Sequence, residues 1–315
     1  MTRFVVRRLI GMVLVMFAIS VLTFLIFQVI PNGDPASRIA GRSATETAIQ
    51  EIREEWGFDR SIFVQYGSTM QKVFTGDLVS YHNGVNVGEE IRRGIPRTFF
   101  LAIGAALLWM AVAVALGLYS AIRAGRFSDR FLTVLALIGI SMPVFWIGAL
   151  MSYYLGFKWE IFPNGGYVEL TKNPLDWLWH MILPWTALAI LFVGIYSRIL
   201  RGNVLDTLNE DYVRTGRAKG ISERQLLLRH VLRNSMIPIA TLWGLDFGAV
   251  IGGGAILTES VFDLQGVGQY AAESVQQLDV PPVLTITMLG AFFVVLLNTV
   301  VDIVYAFLDP RIRLQ

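Results

Sequence analysis

The chain begins with arginines and then a long uncharged stretch, Leu9-Ile-Gly-Met-Val-Leu-Val-Met-Phe-Ala-Ile-Ser-Val-Leu-Thr-Phe-Leu-Ile-Phe-Gln-Val-Ile30. An α-helix needs about 20 apolar residues to cross the hydrocarbon core of a bilayer, and this stretch is long enough. A signal peptide also places an apolar region after basic residues, but its apolar region is shorter and a small-residue cleavage site follows. The stretch therefore predicts a retained membrane span.

Five further apolar stretches follow along the chain. With the first, the predicted spans are residues 9–30, 99–122, 131–157, 181–197, 237–258 and 283–308. Because lipid offers no partner to exposed backbone N–H and C=O groups, each span should be a helix. We therefore predict an all-α polytopic membrane protein, with six transmembrane helices in a single domain over residues 1–315.

The composition supports this class and excludes others. Charged residues make up 16% of the 315 residues and hydrophobic ones 54%, whereas about a quarter of a soluble chain is charged. A net charge of +2 without a basic stripe predicts no nucleic-acid partner. The chain has no cysteine, and its three histidines are far apart, so we expect no metal and no other cofactor.

The distribution of basic residues predicts the orientation. Sixteen of the 26 lysines and arginines lie at the two termini and in two loops, 123–130 and 198–236, and eight lie in the long segment 31–98, whereas the two short loops between the other spans hold only Lys158 and Lys172. The positive-inside rule then places both termini in the cytosol. The long segment 31–98 lies outside, since long segments cross the membrane largely regardless of charge.

Residues 31–98 are predicted to form a small helical extracytoplasmic segment. A capping box, Ser43-Ala-Thr-Glu46, should start its first helix. Successive helices should end at Gly57, at Gly76 and before Pro96. These helices would either cover the outer mouth of the protein or dock an external protein, and the residues leave both open.

The loop 198–236 also has helical signals. Asn209 should cap a short helix that runs to Ala218 and is broken by Gly220. A second capping box, Ser222-Glu-Arg-Gln225, should start an amphipathic helix that leads into the fifth span. Such a loop is either a rigid lever for a cytosolic partner or a basic surface lying on anionic lipid.

Catalytic patterns are missing from the sequence. It contains no G-x-x-x-x-G-K-[ST] phosphate-binding loop and no H-E-x-x-H. Gly139-Ile-Ser141-Met is a weak match to intramembrane serine proteases, but no span carries a histidine in its interior to act as the base. We predict a non-catalytic chain in which Ser141, before Met142-Pro143, marks a kinked helix.

Three polar residues lie inside predicted spans. Asp246 is roughly 13 Å deep at 1.5 Å per residue, Asn298 has a similar depth, and Asp302 lies nearer the cytosol. They would line a translocation cavity, where Asp246 meets a cationic group of the solute, or else form structural hydrogen bonds, which is the commoner case. Gly252-Gly-Gly254 permits either close helix packing or a break, and close packing is the commoner explanation.

The loop resembles that of a known family. Asp211-Tyr-Val-Arg-Thr-Gly-Arg-Ala-Lys-Gly220, followed by Leu228-Arg-His-Val-Leu-Arg-Asn234, looks like the signature loop of the B-type permease subunit of dipeptide and oligopeptide ABC importers. Similar pieces occur in order along essentially the whole chain: Arg7-Arg-Leu-Ile, Gly76-Asp-Leu, Ile95-Pro-Arg-Thr98, Ser141-Met-Pro-Val-Phe145, Thr258-Glu-Ser-Val-Phe262, Gly266-Val-Gly268 and Asp309-Pro-Arg-Ile-Arg-Leu314. The general importer pattern E-A-A-x3-G-x9-I-x-L-P, anchored on Gly220, matches only that glycine and Leu232, which favours the peptide subfamily.

The resemblance implies a bacterial inner-membrane permease that forms half of a pathway for peptides or similar solutes by alternating access. Its expected partners are a second permease subunit, two cytosolic ATPases, an extracytoplasmic substrate-binding protein and membrane lipid. The residues implied to couple it to the ATPases are Asp211, Tyr212, Val213, Arg214, Thr215, Gly216, Arg217, Ala218, Lys219 and Gly220.

The alternative is an ion-coupled secondary transporter that acts without ATPase partners. It predicts coupling carboxylates near the midplane and an inverted repeat, whereas Asp246 is the only deep carboxylate and no repeat is evident. The solute stays open among dipeptides, longer peptides, glutathione, nickel complexes and oligosaccharides.

Overall fold

The computed structural model describes residues 2–29, 35–40 and 44–308, and most of these are helical. The α-helices are α1 (Thr2–Phe24), α2 (Pro35–Ala40), α3 (Glu46–Trp56), α4 (Ile62–Thr75), α5 (Val87–Ile122), α6 (Phe127–Ser141), α7 (Val144–Met151), α8 (Pro174–Leu208), α9 (Asp211–Ala218), α10 (Glu223–Gln225), α11 (Leu232–Ala249), α12 (Ile256–Val261), α13 (Val267–Gln276) and α14 (Val280–Leu308). Segments of π-helix extend or join some of them: Leu25–Val29, Ser152–Lys158, Leu226–Val231 and Val250–Gly254. The described residues form no β-sheet, only an isolated bridge between Val79 and Asn86, so the all-α prediction is confirmed.

Five of the described helical stretches are long and apolar enough to cross a membrane. They are Val6–Val29, Val87–Ile122, Pro174–Leu208, Glu223–Gly254 and Val280–Ile303. A sixth crossing is formed only if the pair Phe127–Ser141 and Val144–Lys158, which meet at 100°, counts as one broken span.

The bend lies where the sequence predicts a kink. The backbone is extended at Met142 and Pro143, and Pro143 is the N-cap of α7. The hydroxyl of Ser141 donates to the carbonyl of Leu137 at 2.8 Å. Such a bond from a serine hydroxyl to the carbonyl four residues earlier favours bending of a helix.

The core is built where α5 packs on α8. Small residues of α5, including Ala102, Ala105 and Ala106, are fully buried and allow the two backbones to approach closely. At Gly117 the two backbones approach closely, since a Cβ there would lie 2.7 Å from the carbonyl oxygen of Ser197.

Two indole groups fix neighbouring helices to the backbone of α5. Trp185 of α8 donates from Nε1 to the carbonyl of Phe100 at 2.9 Å. Trp243 of α11 donates to the carbonyl of Ala106 at 3.0 Å. Both N–H groups thus find an acceptor inside the protein, as a polar group away from water requires.

A glycine stripe on α11 faces α14. Added Cβ atoms at Gly244, Gly248 and Gly252 would meet side chains of α14, namely those of Val301, Leu297 and Val294 respectively. Gly253, in contrast, has φ of +145° and a non-helical backbone. The glycine triplet therefore serves both purposes, because Gly252 packs closely and Gly253 breaks the helix.

The helices of the outer segment differ from the prediction at their starts. The N-cap of α3 is Thr45, whose hydroxyl accepts from the N–H of Ala48 at 3.4 Å. The predicted N-cap, Ser43, lies outside the described residues. Thr45 takes the capping role that the sequence pattern assigned to Ser43. The predicted ends are confirmed, since Gly57 and Gly76 close α3 and α4 in the left-handed conformation.

The predicted helix end before Pro96 is wrong. Pro96 lies inside α5, which starts at Val87 after an Asn86 cap and continues to Ile122. A proline inside a helix removes one hydrogen bond, but burial of Val87 and Ile91 in a cluster with Val267 offsets this. Tertiary packing on the outer side of the proline thus keeps the helix continuous.

A buried carboxylate holds three parts of the chain together. Asp129, near the start of α6, accepts from Nε and Nη2 of Arg201 on α8 at 2.7 and 2.8 Å. It also accepts from the hydroxyl of Ser120 at the end of α5 and from the N–H of Gly125 in the connecting turn, the latter at 2.8 Å. We call this set the Asp129–Arg201 clamp.

The clamp should contribute strongly to stability. Asp129→Asn removes the charge from a buried carboxylate that accepts hydrogen bonds from Arg201, Ser120 and Gly125, which costs about 2 kcal/mol. We expect a clearly lower unfolding temperature for the purified protein in detergent. Arg201→Gln added to Asp129→Asn should lower it little further, because the two residues act as a unit.

Glu223→Gln is the matched control for this prediction. It breaks the exposed ion pair between Arg217 and Glu223, and exposed pairs contribute little. If Asp129→Asn unfolds at the same temperature as Glu223→Gln, the clamp is not a determinant of stability.

Candidate functional site

Helix α9 follows the end of α8 almost at once. Its N-cap is Glu210, which makes no side-chain capping bond. The predicted cap, Asn209, is wrong by one position: Asn209 ends α8, and its Nδ2 donates to the carbonyl of Leu205 at 3.0 Å. Since the amide serves the end of α8, it does not cap α9.

The two faces of α9 have different environments. Val213 and Gly216 are buried, whereas the other residues from Asp211 to Gly220 are exposed. A Cβ at Gly216 would lie 2.8 Å from Cδ1 of Leu226, so glycine allows α9 to lie directly on the chain that follows. The helix therefore presents a nearly complete polar face outward.

The turn after α9 is closed by a glycine and an ion pair. Gly220 has φ of +78°, the left-handed region that glycine adopts without strain. Across the turn, Arg217 donates from Nε to the carboxylate of Glu223 at 2.8 Å, and this neighbour raises the pKa of the Arg217 guanidinium. The predicted break at Gly220 is confirmed.

The chain beyond the turn returns to the core. Ser222 caps α10 by accepting from the N–H of Gln225 at 3.4 Å, as the second capping box predicts. Leu226 and Val231 of the following π-helical segment are buried in the same cluster as Val213. The inner face of α9 is thus continuous with the hydrophobic core.

Polar bonds tie α9 and the start of α11 to the end of α8. Asn234 donates from Nδ2 to the hydroxyl of Tyr212 at 2.7 Å. Asn203 of α8 donates from Nδ2 to the carbonyl of Ser235 at 3.3 Å, and the hydroxyl of Ser235 donates to that of Thr207 at 3.1 Å. A displacement of α9 would therefore be passed to two long helices.

Asp246 does not share a site with the other two polar residues predicted to line a cavity. The hydroxyl of Tyr196 on α8 donates to its Oδ2 at 2.6 Å. Asp246 lies two residues from both Gly244 and Gly248, which face α14. At 3.6 residues per turn, a residue two positions away points to the opposite side of the helix.

The other two residues belong to α14. Asp302 forms an ion pair with Arg8 of α1, with 2.8 Å between Oδ2 and Nη1. Asn298 lies beside α11, since a Cβ at Gly248 would be 3.9 Å from its Oδ1. The structure therefore does not gather Asp246, Asn298 and Asp302 into one cavity, and the hydrogen-bond alternative fits Asp246.

Sequence reasoning missed the Asp129–Arg201 clamp and the buried carboxyl of Glu259. Asp129 begins a helix after a basic turn, where an acidic residue reads as an ordinary favourable first-turn charge. Glu259 lies just after a predicted span, within the motif Thr258-Glu-Ser-Val-Phe262. This position beside an apolar stretch was the signal in the sequence that could have indicated burial of the carboxyl.

Comparison with known proteins identifies the family. Residues 113–314 match the family described as binding-protein-dependent transport system inner membrane component, and residues 1–102 match the corresponding N-terminal family. The chain is 36% identical to the probable peptide ABC transporter permease protein y4tP of Sinorhizobium fredii, over 98% of this chain and 99% of the relative.

Two relatives in Escherichia coli are also similar over nearly their whole length. The probable D,D-dipeptide transport system permease protein DdpB is 36% identical, over 96% of this chain and 95% of the relative. The glutathione transport system permease protein GsiC of Escherichia coli O6:H1 is 35% identical, over 99% of both chains.

These matches favour ATP-driven import over the ion-coupled alternative. Members of this family work in complexes and do not themselves catalyse a reaction. The chain belongs to the binding-protein-dependent transport system inner membrane components, and it is the multi-pass, non-catalytic permease subunit of an ABC importer in the inner membrane.

Proposed function

We propose that this permease forms half of a translocation pathway for peptides or similar small solutes and works by alternating access. The observation that carries the proposal is the geometry of α9, whose buried face joins the core while its polar face points outward. The names of the relatives support a peptide-type solute, since they refer to peptide, D,D-dipeptide and glutathione transport.

We propose six spans with both termini in the cytosol. The five long helices and the bent pair α6–α7 supply the six crossings, and an even number returns the chain to its starting side. The basic loop 198–236 is then cytosolic, as the positive-inside rule favours.

The absence of cysteine from the sequence makes this orientation easy to test. Single substitutions Ser61→Cys and Lys219→Cys place the only thiol on the proposed outer and inner sides, at exposed positions. A membrane-impermeant maleimide should label Ser61→Cys in intact spheroplasts. It should label Lys219→Cys only after the membrane is opened, and the reverse pattern contradicts the orientation.

The complex we propose contains a second, different permease subunit, two cytosolic ATPases and an extracytoplasmic binding protein. One ATPase would receive the exposed face of α9 in a surface groove. The outer segment is firmly attached and suits docking, because Asp279 before α14 accepts from the N–H of Tyr81 at 2.9 Å and from the hydroxyl of Ser80. Because these bonds hold the outer segment in place, a protein that docks on it would not displace it.

In the proposed cycle, closure of the ATPases on ATP moves α9. The movement passes through Val213 to Leu226 and Val231, and through the bond between Tyr212 and Asn234 to the start of α11. The spans then open the pathway outward, and hydrolysis with product release returns it inward.

Gly220→Val should uncouple ATP hydrolysis from transport. A β-branched residue strongly disfavours positive φ, so the angle between α9 and α11 must change. Strain of about 1–2 kcal/mol corresponds to roughly tenfold slower transport. We expect this loss in vesicles holding the assembled complex, with membrane insertion and basal ATP hydrolysis kept.

Gly202→Val is the matched control. A Cβ meets no atom within 4 Å at Gly202 or at Gly220, but only Gly220 has positive φ. Transport should survive Gly202→Val. Equal transport by the Gly220→Val and unmodified complexes would show that α9 is not the lever.

A further inference from the structure

Glu259 of α12 holds the start of α13 with one carboxyl oxygen. The residue is fully buried, and its Oε2 accepts from the N–H of Gln269 at 2.9 Å. Beside it, the hydroxyl oxygen of Thr98 on α5 accepts from the N–H of Val267 at 2.9 Å. Two otherwise unpaired N–H groups at a helix start are thereby satisfied.

The other carboxyl oxygen, Oε1, has no hydrogen-bond partner among the described residues, and neither has the buried hydroxyl of Thr258. An unpaired buried acceptor costs free energy. A native structure rarely leaves such a group unpaired, which makes Oε1 a candidate acceptor for a group that donates hydrogen bonds.

Glu259 lines a mostly apolar cavity of about 180 Å³. A water needs roughly 10–15 Å³ measured in this way, so the cavity has room for a donor group and the carbon atoms attached to it. Its walls come from the adjoining parts of α5, α12, α13 and α14 and from the break after α11, and include Phe99, Ile251, Gly253, Ile286 and Phe293.

The break after α11 borders the cavity. The helix ends at Ala249 and its π-helical extension is interrupted at Gly253, and the starts of α12 and α13, at Ile256 and Val267, also line the cavity. Because helix C-termini and N-termini carry partial charges of opposite sign, the carboxyl of Glu259 is the group that gives the cavity its acidic character.

Two glycines make room for the carboxyl. A Cβ added at Gly266 would overlap Oε2 of Glu259, and one at Gly268 would lie 3.0 Å from the same oxygen. The motif Gly266-Val-Gly268 thus lets the chain pass closely over the carboxyl group.

We propose that this cavity binds a primary ammonium group through Oε1 of Glu259, and that this group is the amino terminus of the transported solute. The inference rests on the proposed function, since it assumes a peptide-type solute. In the proposed orientation, the cavity lies in the outer half of the membrane region.

An ammonium group fits better than a metal ion. Calcium requires six to eight oxygen ligands, and the described residues contain no group of three or more His, Asp or Glu side chains that could hold a metal. An ammonium group brings three N–H donors on a carbon chain that suits the apolar walls. The carboxyl of Glu259 supplies the charge it needs.

The test is calorimetric titration of the purified complex of the two permease subunits and the two ATPases, without the extracytoplasmic binding protein, with dialanine and with N-acetyl-dialanine. The first peptide has a free ammonium group and the second does not. We expect dialanine to bind the unmodified complex and N-acetyl-dialanine to bind at least tenfold more weakly. Glu259→Gln should weaken dialanine binding roughly tenfold to a hundredfold, as expected for a lost charge-assisted hydrogen bond.

Ser260→Ala is the matched control, because Ser260 is exposed on the same helix and donates only to the carbonyl of Ile256 in α12. The complex that carries Ser260→Ala should bind dialanine with unchanged affinity. Equal binding of the two peptides, unchanged affinity in Glu259→Gln, or no binding of dialanine overturns the inference. Equal binding of the two peptides by the unmodified complex rejects the inference even if Glu259→Gln does not assemble. Uptake of dialanine by vesicles is measured separately: uptake without dependence on Glu259 rejects only this inference, whereas no peptide uptake rejects the proposed function.

Discussion

Inside a bilayer, backbone groups have no water to bond to, so a crossing segment must stay helical or break only where protein covers it. Helix α8 meets this constraint over 35 residues, roughly 52 Å at 1.5 Å per residue. It also supplies the polar bonds that position its neighbours, from Tyr196 to Asp246, from Arg201 to Asp129 and from Asn203 to Ser235. One continuous helix therefore links the membrane region to α9, and the position of α9 depends on it.

Local chemistry made much of this predictable from the sequence. Glycine ends a helix in the left-handed conformation wherever a side chain would be strained, which is why Gly57, Gly76 and Gly220 could be read directly. The first residue of a helix is harder to predict from the sequence, because neighbouring residues compete for the N-cap position. Thr45 and Glu210 are the observed N-caps, close to the predicted Ser43 and Asn209. Pro96 failed as a signal because packing at Val87 and Ile91 outweighs the single hydrogen bond it removes.

The polar interior was harder, because depth along a helix says nothing about direction around it. Asp246 and Asn298 have similar depth, yet Asp246 points to α8 while Asn298 lies beside α11. The phase of the glycine stripe Gly244, Gly248 and Gly252 contained the missing information: Asp246 lies two positions from both Gly244 and Gly248, and so it must face away from α14. The Asp129–Arg201 clamp has no comparable signal in the sequence, since its two members are separated by 72 residues. Taken alone, each of them resembles an ordinary charge near a helix end.

The distribution of regular and irregular backbone then bears on how the proposed cycle would run. Helices α5 and α8 are unbroken and joined by close small-residue packing, so they form the stiff part of the subunit. Helix α11 is irregular at both ends, with Leu226–Val231 on the side of α9 and Val250–Gly254 on the side of the Glu259 cavity. Irregular backbone absorbs changes in φ and ψ at less cost than a continuous hydrogen-bonded helix, and hinges lie at such ends. A displacement of α9 would therefore act on the rigid pair α5 and α8 on one side and on the movable helix α11 on the other. Since α11, with the π-helical segments at its two ends, connects the turn at Gly220 to the break at Gly253, it is the element through which the loop and the cavity would be coupled.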